Sequence, residues 1–305
     1  MHTLTRRRFI HSLGLAAAAS ALAATEPFRL RYILSSAMYG EMPLEIILPE
    51  VAKTGSAAID IWCKVHGNQR EQITEMGDDA FAALLAKHAV KLAVSTRYPL
   101  GPMKLQEEMA WVKKLGGNIV LCGSGGPKDL EGAEAKAAIA KFLEAMKPHV
   151  ARAEELGVTI AIENHSSSML SHPDSLRAFA ELNQSRSLGV AFAPHHLHRW
   201  SGEMPALIRD LGAANLPFIY FQEHPEGLSK NSPKELEMKQ MPGAGGGLDY
   251  RLIVKALRDI RFTGYASIFM HPTPRGIPIL PTAPEVTAAI NKSRDYIERC
   301  LKETA

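Results

Sequence analysis

The segment Leu156-Gly157-Val158-Thr159-Ile160-Ala161-Ile162-Glu163 contains the pattern on which the fold prediction depends. Gly157 is typical of a helix end, since glycine adopts the left-handed backbone conformation at no steric cost. The apolar run that follows predicts a buried strand, and Glu163 places a carboxylate at the end of that strand. The segment therefore predicts a helix that is followed at once by a buried strand with a polar residue at its carboxyl edge.

The same alternation of short β-rich runs and longer amphipathic stretches continues from Arg29 to the end of the chain. Eight such units in about 280 residues predict an α/β fold, a single (β/α)8 TIM barrel over residues 24–305. An open doubly wound sheet is the alternative, but no Gly-x-Gly-x-x-Gly turn follows the first strand. The predicted strands are Leu30–Leu34, Ala57–Trp62, Lys91–Ser95, Asn118–Cys122, Thr159–Glu163, Leu188–Ala193, Pro217–Gln222 and Gly264–Phe269.

Alternation inside the later strands predicts which side chains face the helices and which face the barrel axis. The residues expected to face the helices are Ile160, Ile162, Val190, Phe192, Ile219, Phe221, Ala266 and Ile268. Those expected to face the axis are Ala161, Glu163, Ala191, Ala193, Tyr220, Gln222, Ser267 and Phe269.

The first 23 residues are predicted to be a twin-arginine signal peptide. Arg6, Arg7 and Arg8 precede Phe9 and an apolar run that ends in small residues, as in segments that a signal peptidase cleaves. The run is shorter than the roughly 20 residues that a membrane-spanning helix needs. We therefore expect export to the periplasm by the twin-arginine machinery, with no permanent membrane anchor.

Charge and cysteine content exclude several classes of protein. The chain has 35 Lys and Arg against 32 Asp and Glu, and removing the three leader arginines leaves 32 against 32. A nucleic-acid-binding surface needs a surplus of positive charge, so no nucleic-acid partner is expected. Cys63, Cys122 and Cys300 are too few and too scattered for a disulfide scaffold, so we expect free, mostly buried thiols.

Three motifs give the chain a resemblance to the xylose-isomerase-like TIM-barrel superfamily, whose members are often labelled sugar phosphate isomerases or epimerases. They are Gly55 with Ala58-Ile59-Asp60-Ile61, the segment Gly157–His165 that contains Glu163-Asn164-His165, and Pro242-Gly243-Ala244-Gly245-Gly246-Gly247-Leu248-Asp249-Tyr250. The resemblance implies a divalent metal on the barrel axis, bound by Glu, Asp, His and Glu from the last four strands. It also implies proton transfer by carboxylates through an enediolate, with no nucleotide cofactor.

Carried over residue by residue, only the first of these four ligands remains. Glu163 stands at the first ligand position, whereas the Asp-x-x-His segment reads Ala193-Pro194-His195-His196 and keeps only His196. Gln222 stands at the third position and Phe269 at the fourth. We therefore predict Glu163 and His196 as the catalytic residues and expect any metal site to differ from that of the family.

A histidine follows each of the four ligand positions by two residues. Because two strand residues advance about 6.6 Å on the same face, these imidazoles are predicted to lie one layer higher, at the barrel mouth. Imidazole ligands favour a divalent transition metal over magnesium. The alternative is hydrogen bonding to a sugar without metal, since Pro194 and Pro272 interrupt the alternation. The predicted metal ligands are Glu163, His165, His195, His224 and His271.

Further residues are predicted to contact a carbohydrate substrate. Lys64 and His66 follow the second strand on the axis-facing side, and Trp200 offers an aromatic ring for stacking. Arg97 and Arg275 follow the third and eighth strands, where they bind an acidic group or remain solvated. The long segment 223–250 is interpreted as a lid or as an exposed insertion. The predicted substrate-binding residues are His165, Gln222, Lys64, His66 and Trp200.

Together these features predict an exported sugar isomerase or epimerase-like enzyme that removes a proton next to a carbonyl and has a non-standard metal site. A lyase acting on an oxidised sugar needs the same proton abstraction and is a first alternative. The second alternative is a catalytically inactive barrel that binds carbohydrate, because three family ligands are missing. A DNA repair endonuclease of the apurinic type is disfavoured by the absence of net positive charge.

Overall fold

A computed structural model describes residues 27–223 and 232–304 of the chain. Within them, parallel strands form one sheet whose order follows the sequence, with helices outside it, so the predicted α/β barrel is confirmed. The predicted strand bounds hold to within about a residue. The strands are β1 Arg31–Tyr32, β2 Leu34–Ser35, β3 Ala58–Trp62, β4 Lys91–Thr96, β5 Ile119–Gly123, β6 Thr159–Glu163, β7 Leu188–Phe192, β8 Phe218–Phe221 and β9 Tyr265–Ile268.

The first barrel strand closes the sheet and is divided in two by Ile33. β1 pairs in parallel with β9, where Tyr32 lies opposite Ala266, while β2 pairs with β3, where Ser35 lies opposite Asp60. The nine short strands therefore correspond to the eight predicted runs, since β1 and β2 together are the first of them. The carboxyl ends of all these strands meet at one mouth.

Helices cover the barrel in the part of the chain that the structure describes. None of them combines the length and the apolar character that crossing a bilayer requires. They are α1 Leu44–Val51, α2 Gln69–Met76, α3 Asp78–Lys87, α4 Gln106–Lys114, α5 Gly132–Leu156, α6 Pro173–Leu182, α7 Met204–Leu211, α8 Lys234–Glu237, α9 Tyr250–Asp259 and α10 Ala283–Glu303.

The junction between α5 and β6 has the predicted form. Gly157 ends α5 with φ of 62°, a left-handed conformation that favours glycine. Its N–H group donates a hydrogen bond to the Glu154 carbonyl, and β6 begins two residues later at Thr159. This tight turn delivers Glu163 to the barrel mouth.

Aromatic rings fill the barrel interior and confirm the predicted facing of two strands. Trp62 stacks on Phe269 with ring centroids 5.0 Å apart, and Tyr220 lies 5.0 Å from the same Phe269 ring. Phe221 instead contacts Tyr250 of α9 at 5.6 Å, so it faces the helices. Because Phe269 packs in this cluster, the position where the family has a ligand serves as core here.

Two groups of sequence predictions have different outcomes. Cys63, Cys122 and Cys300 are free and buried, as expected. The predicted signal peptide, residues 1–23, and the predicted ligand His224 lie outside the described residues. Those two assignments stay predictions.

A buried carboxyl group, Asp60, lies in the barrel interior below the mouth. Its Oδ2 accepts hydrogen bonds from Trp62 Nε1 at 2.6 Å and from Ser35 Oγ at 3.3 Å, and its Oδ1 accepts one from Thr96 Oγ1 at 2.8 Å. Burial raises the pKa of Asp60 from 3.8 to about 7, although these three donors act in the opposite direction. The ionised carboxyl group therefore destabilises the fold.

We predict that Asp60→Asn stabilises the protein more at pH 8 than at pH 5. Because the folded-state pKa of Asp60 is raised, wild-type stability falls as the pH rises through 7, whereas asparagine does not ionise. The amide keeps an oxygen for Trp62 and Ser35, and the Thr96 hydroxyl can accept from its NH₂ group. Between pH 5 and the folded-state pKa of about 7, wild type loses about 1.4 kcal/mol of stability per pH unit. The stabilisation by Asp60→Asn should therefore grow by at most about 3 kcal/mol between pH 5 and pH 8.

The measurement is chemical unfolding of both proteins at the two pH values. Asp295→Asn, which removes an exposed carboxylate, is the control and should show little pH-dependent gain. An equal effect of Asp60→Asn at pH 5 and pH 8 would contradict the prediction.

Candidate active site at the barrel mouth

Asn164 joins the ends of β6 and β7 and so positions the centre of the site. This side chain is fully buried, its Nδ2 donates to the Ala193 carbonyl at 2.9 Å, and its Oδ1 accepts from the Ala193 N–H at 2.7 Å. Glu163 immediately precedes Asn164, and a 3-10 segment over Pro194–Glu203 immediately follows Ala193. The two hydrogen bonds therefore hold Glu163 next to the start of this 3-10 segment.

Glu163, His195 and His196 form a group of potential metal ligands. One carboxylate oxygen of Glu163 and one ring nitrogen of each histidine all lie within 4.8 Å of one another. Glu163 Oε1 lies 3.6 Å from His196 Nε2. One carboxylate and two imidazoles are a donor set that suits zinc and other divalent transition metals, so these residues fit such an ion. They could therefore hold it in place of the missing family ligands.

His165 lies beside this group but presents a different atom to it. Its ring centroid is 3.9 Å from that of His196. The Ser167 N–H donates to His165 Nδ1 at 3.1 Å, which places the proton of the neutral ring on Nε2. In this state His165 offers a hydrogen-bond donor and not a metal ligand.

His271 and His66 continue the row of imidazoles on the other side of the mouth. The His271 ring lies 6.0 Å from His195 and 4.8 Å from His66. Each of these two residues has a buried Nδ1 without a hydrogen-bond partner among the described residues. The structure therefore brings five histidines together, and two of them retain a polar ring atom for a ligand.

A cleft of about 700 Å³ opens above these histidines. Its volume is in the range of small-molecule sites. It is lined by Lys128, Asp129, Ser166, Ser171, His195, His196, His198, Arg199, Trp200, Gln222, Gln240, His271, Thr273 and Arg275.

The predicted substrate-binding residues occupy different places relative to this cleft. Gln222 and Trp200 line it, and His66 lies behind His271. Lys64 is exposed and is not among the cleft-lining residues, while its backbone N–H lies 3.4 Å from the Glu71 carboxylate. Gln222 and Trp200 therefore lie where a ligand in the cleft would contact them, whereas Lys64 does not line the cleft.

Glu223 follows the cleft-lining Gln222 but is not among the residues that line this cleft. Its carboxylate accepts hydrogen bonds from the N–H groups of Gly243 at 3.1 Å and Leu248 at 3.1 Å. Gly246 has no room for a side chain, since a Cβ there would lie 2.5 Å from Glu223 Oε2. Glu223 therefore anchors the glycine-rich loop, which belongs to the segment interpreted as lid or insertion.

Burial controls protonation in the site. It raises the pKa of Glu163 well above its usual value, because the carboxyl group is 2% exposed and lies among apolar strands. Burial, with the Arg275 charge, lowers the pKa of His66 to about 4 and also lowers the pKa values of His165 and His271. These three imidazoles are therefore neutral at neutral pH.

Two residues that order the site were not predicted from the sequence. Asn164 was noted only as part of the Glu163-Asn164-His165 motif. An amide directly after a strand-end carboxylate nevertheless indicates hydrogen bonding to the end of the neighbouring strand. No sequence pattern indicated Gln240, which ends a short 3-10 helix over Met238–Gln240. It accepts a hydrogen bond from Gln222 Nε2 at 2.8 Å and donates one to the His271 carbonyl at 2.9 Å.

Solved structures share this fold at low sequence identity. D-psicose 3-epimerase in the presence of D-fructose has a TM-score of 0.66 and 16% identity, covering 89% of this chain and 99% of that one. The IOLI protein with a zinc atom has a TM-score of 0.65 and 16% identity, with coverage of 88% and 99%. A probable 3-DHS dehydratase from Bacillus anthracis has a TM-score of 0.64 and 12% identity, with coverage of 87% and 99%. At such identities the likeness shows the fold alone.

Sequence comparison places the chain in a family without identifying a characterised counterpart. No curated protein matches the chain. The pattern of one family, described as xylose isomerase-like TIM barrel, matches residues 48–300, which include both the Glu163 strand and the histidine-rich mouth. The chain therefore belongs to the xylose isomerase-like TIM barrel family.

Proposed function

We propose that the protein is a sugar isomerase or epimerase-like enzyme in which Glu163 removes a proton from the carbon next to a carbonyl group. The observation that carries the proposal is the grouping of Glu163, His195 and His196 within 4.8 Å of one another next to a polar cleft. A buried carboxylate is costly unless it has a partner or a function, and this one lies at the mouth where barrel enzymes carry their active sites.

Glu163 is suited to act as a general base. Because burial raises its pKa, the ionised carboxylate is a stronger proton acceptor than a solvated glutamate. Without a bound metal, a protonated His196 ring would stabilise the negative charge, since its Nε2 lies 3.6 Å from Glu163 Oε1. His165, with the proton on Nε2, supplies a donor for a substrate oxygen. In this proposal Glu163 accepts the substrate proton, and His165 binds a substrate oxygen.

The proposal includes a divalent transition metal held by Glu163, His195 and His196. When bound, such an ion polarises a carbonyl or hydroxyl oxygen and so acidifies the neighbouring C–H bond. The support is the donor set of this chain, together with the zinc atom in the structure of the IOLI protein. His165 and His271 are predicted to contact substrate from either side.

Two further parts of the proposal rest on other observations. The arginines and apolar run within residues 5–24 support export to the periplasm. A lyase acting on an oxidised sugar remains the second candidate, because it begins with the same proton abstraction and because one similar fold is that of a probable dehydratase. An inactive carbohydrate-binding barrel is the outcome if binding occurs without proton transfer.

We predict that the protein purified without chelator or polyhistidine tag contains close to one equivalent of a transition metal. His195→Ala and His196→Ala should each remove most of it, because each substitution deletes one of three donor groups. His88→Ala is the matched control, since His88 ends α3 before β4 at the opposite end of the barrel. Elemental mass spectrometry measures the content. Metal-free wild-type protein from several metal-supplemented preparations would contradict the prediction.

We predict that the wild-type protein exchanges deuterium from D₂O into a ketose or sugar acid at the carbon next to the carbonyl. Glu163→Gln should slow this exchange by about 10² to 10⁴, the usual contribution of a general base. Nuclear magnetic resonance of a panel of such sugars detects the exchange in the signals of the added sugar, whichever product forms.

Glu163→Asp, which keeps the carboxylate, should retain more exchange than Glu163→Gln. Exchange at the wild-type rate in Glu163→Gln would contradict the role of Glu163. A wild-type protein that binds a sugar of the panel without exchange would favour the binding-protein alternative.

A further inference from the structure

The cleft above Glu163 has more positive than negative charge on its walls. Its charged lining residues are Lys128, Asp129, Arg199 and Arg275. The Asp129 carboxylate lies 2.8 Å from Arg199 Nη2 and 3.8 Å from Lys128 Nζ, so one acid is shared by two cations. With three cations and one carboxylate, the lining has a formal surplus of two positive charges.

Arg275 is the cation that this carboxylate does not reach. It lies in the loop after β9, and no carboxylate of residues 27–223 or 232–304 forms an ion pair with it. Its Nη1 donates to the Pro272 carbonyl at 3.1 Å, which leaves most of the five guanidinium N–H groups for a ligand. The exposed rim position makes these groups accessible.

Arg275 and His271 line the same cleft. The Arg275 charge contributes to the lowered pKa values of His66, His165 and His271. Partial burial lowers the pKa of Arg275 itself, although Glu237 acts in the opposite direction. Among the described cleft-lining residues the only carboxylate is Asp129, which pairs with Arg199.

The inner wall of the cleft offers an acceptor for a hydroxyl group. Gln240 donates to the His271 carbonyl and accepts from the His271 N–H at 3.2 Å, so its amide orientation is fixed by backbone. Its oxygen also accepts from Gln222 Nε2, which fixes the Gln222 amide in turn. Gln222 Oε1 is left buried without a hydrogen-bond partner among the described residues.

We propose that the substrate is an anionic sugar derivative whose carboxylate or phosphate is bound by Arg275, while one of its hydroxyl groups donates to Gln222 Oε1. The inference rests on the proposed function and names the substrate class of the same site. A guanidinium binds either anion through two parallel N–H groups, and Lys128 attracts the same charge. A neutral sugar would satisfy Gln222 but would leave the surplus charge of the cleft without a counter-charge.

The test compares two matched pairs of probes by titration calorimetry. D-galacturonate is compared with D-galactose, and D-fructose 6-phosphate with D-fructose, on the full chain. Arg275→Gln is the test variant, and Arg209→Gln is the control, since Arg209 pairs with Asp259 on the helical exterior. At least one anionic sugar should bind wild type about ten-fold or more tightly than its neutral counterpart. Arg275→Gln should remove that preference without weakening the neutral sugar, and Arg209→Gln should change neither.

Several results would overturn the inference: neither anionic sugar binds, both members of each pair bind equally, or Arg275→Gln keeps the preference. A preference in one pair only identifies the anion as carboxylate or phosphate. Failure of the anion preference while Glu163-dependent deuterium exchange persists overturns the substrate class alone. An intact preference with exchange that does not depend on Glu163 overturns the proposed function and keeps the Arg275 site.

Discussion

The two hydrogen bonds between the Asn164 amide and the Ala193 backbone are the constraint on which the site depends. They join the ends of two neighbouring barrel strands, β6 and β7, and both residues are fully buried. Glu163 lies directly before one end of this link, and His195 and His196 follow the other end after Pro194. The carboxylate and both imidazoles therefore converge because two backbone ends are held together, and not because the three side chains attract one another.

The barrel surrounds two of its buried carboxyl groups, Asp60 and Glu163, differently. Asp60 receives three hydrogen bonds from its neighbours and lies below the mouth, where it holds the Trp62 ring against Phe269. Burial raises the pKa of Glu163 as well, but Glu163 faces two histidines at the mouth. The first carboxyl group has its polar contacts within the core, whereas the second depends on groups that a ligand or metal can reach. This difference separates the structural acid Asp60 from Glu163, the proposed general base.

The barrel itself was predictable because each strand is marked by a short apolar run and several are preceded by a glycine. Tyr220, Phe221 and Phe269 also face the sides that simple alternation predicts. The arrangement of the mouth followed this rule only in part. The 3-10 segment that begins at Pro194 ends the two-residue alternation, so both His195 and His196 approach Glu163. Two-residue alternation alone predicts only His195 as a ligand at the barrel mouth.

Long-range contacts determine the features that the sequence did not indicate. Gln240 is held in the site by two distant residues: the Glu223 N–H donates to its carbonyl, and the His271 backbone hydrogen-bonds its side-chain amide. No local sequence pattern indicates such contacts. For the same reason Glu223, one residue after Gln222, faces the glycine-rich loop while Gln222 lines the cleft. The substitution of three family ligands was visible in the sequence, and Glu163 and His195 were among the predicted ligands. That His196 joins them, and not His271, required the folded chain.

The central claim is that Glu163, His195 and His196 form a single metal centre beside the cleft. Anomalous diffraction from crystals grown with zinc tests it most directly, since the signal locates the ion independently of any assay. The expected result is one strong peak within coordination distance of a Glu163 oxygen and of ring nitrogens of both histidines. A peak bound instead by His165 and His271, or no peak at this mouth in zinc-saturated crystals, would contradict the claim.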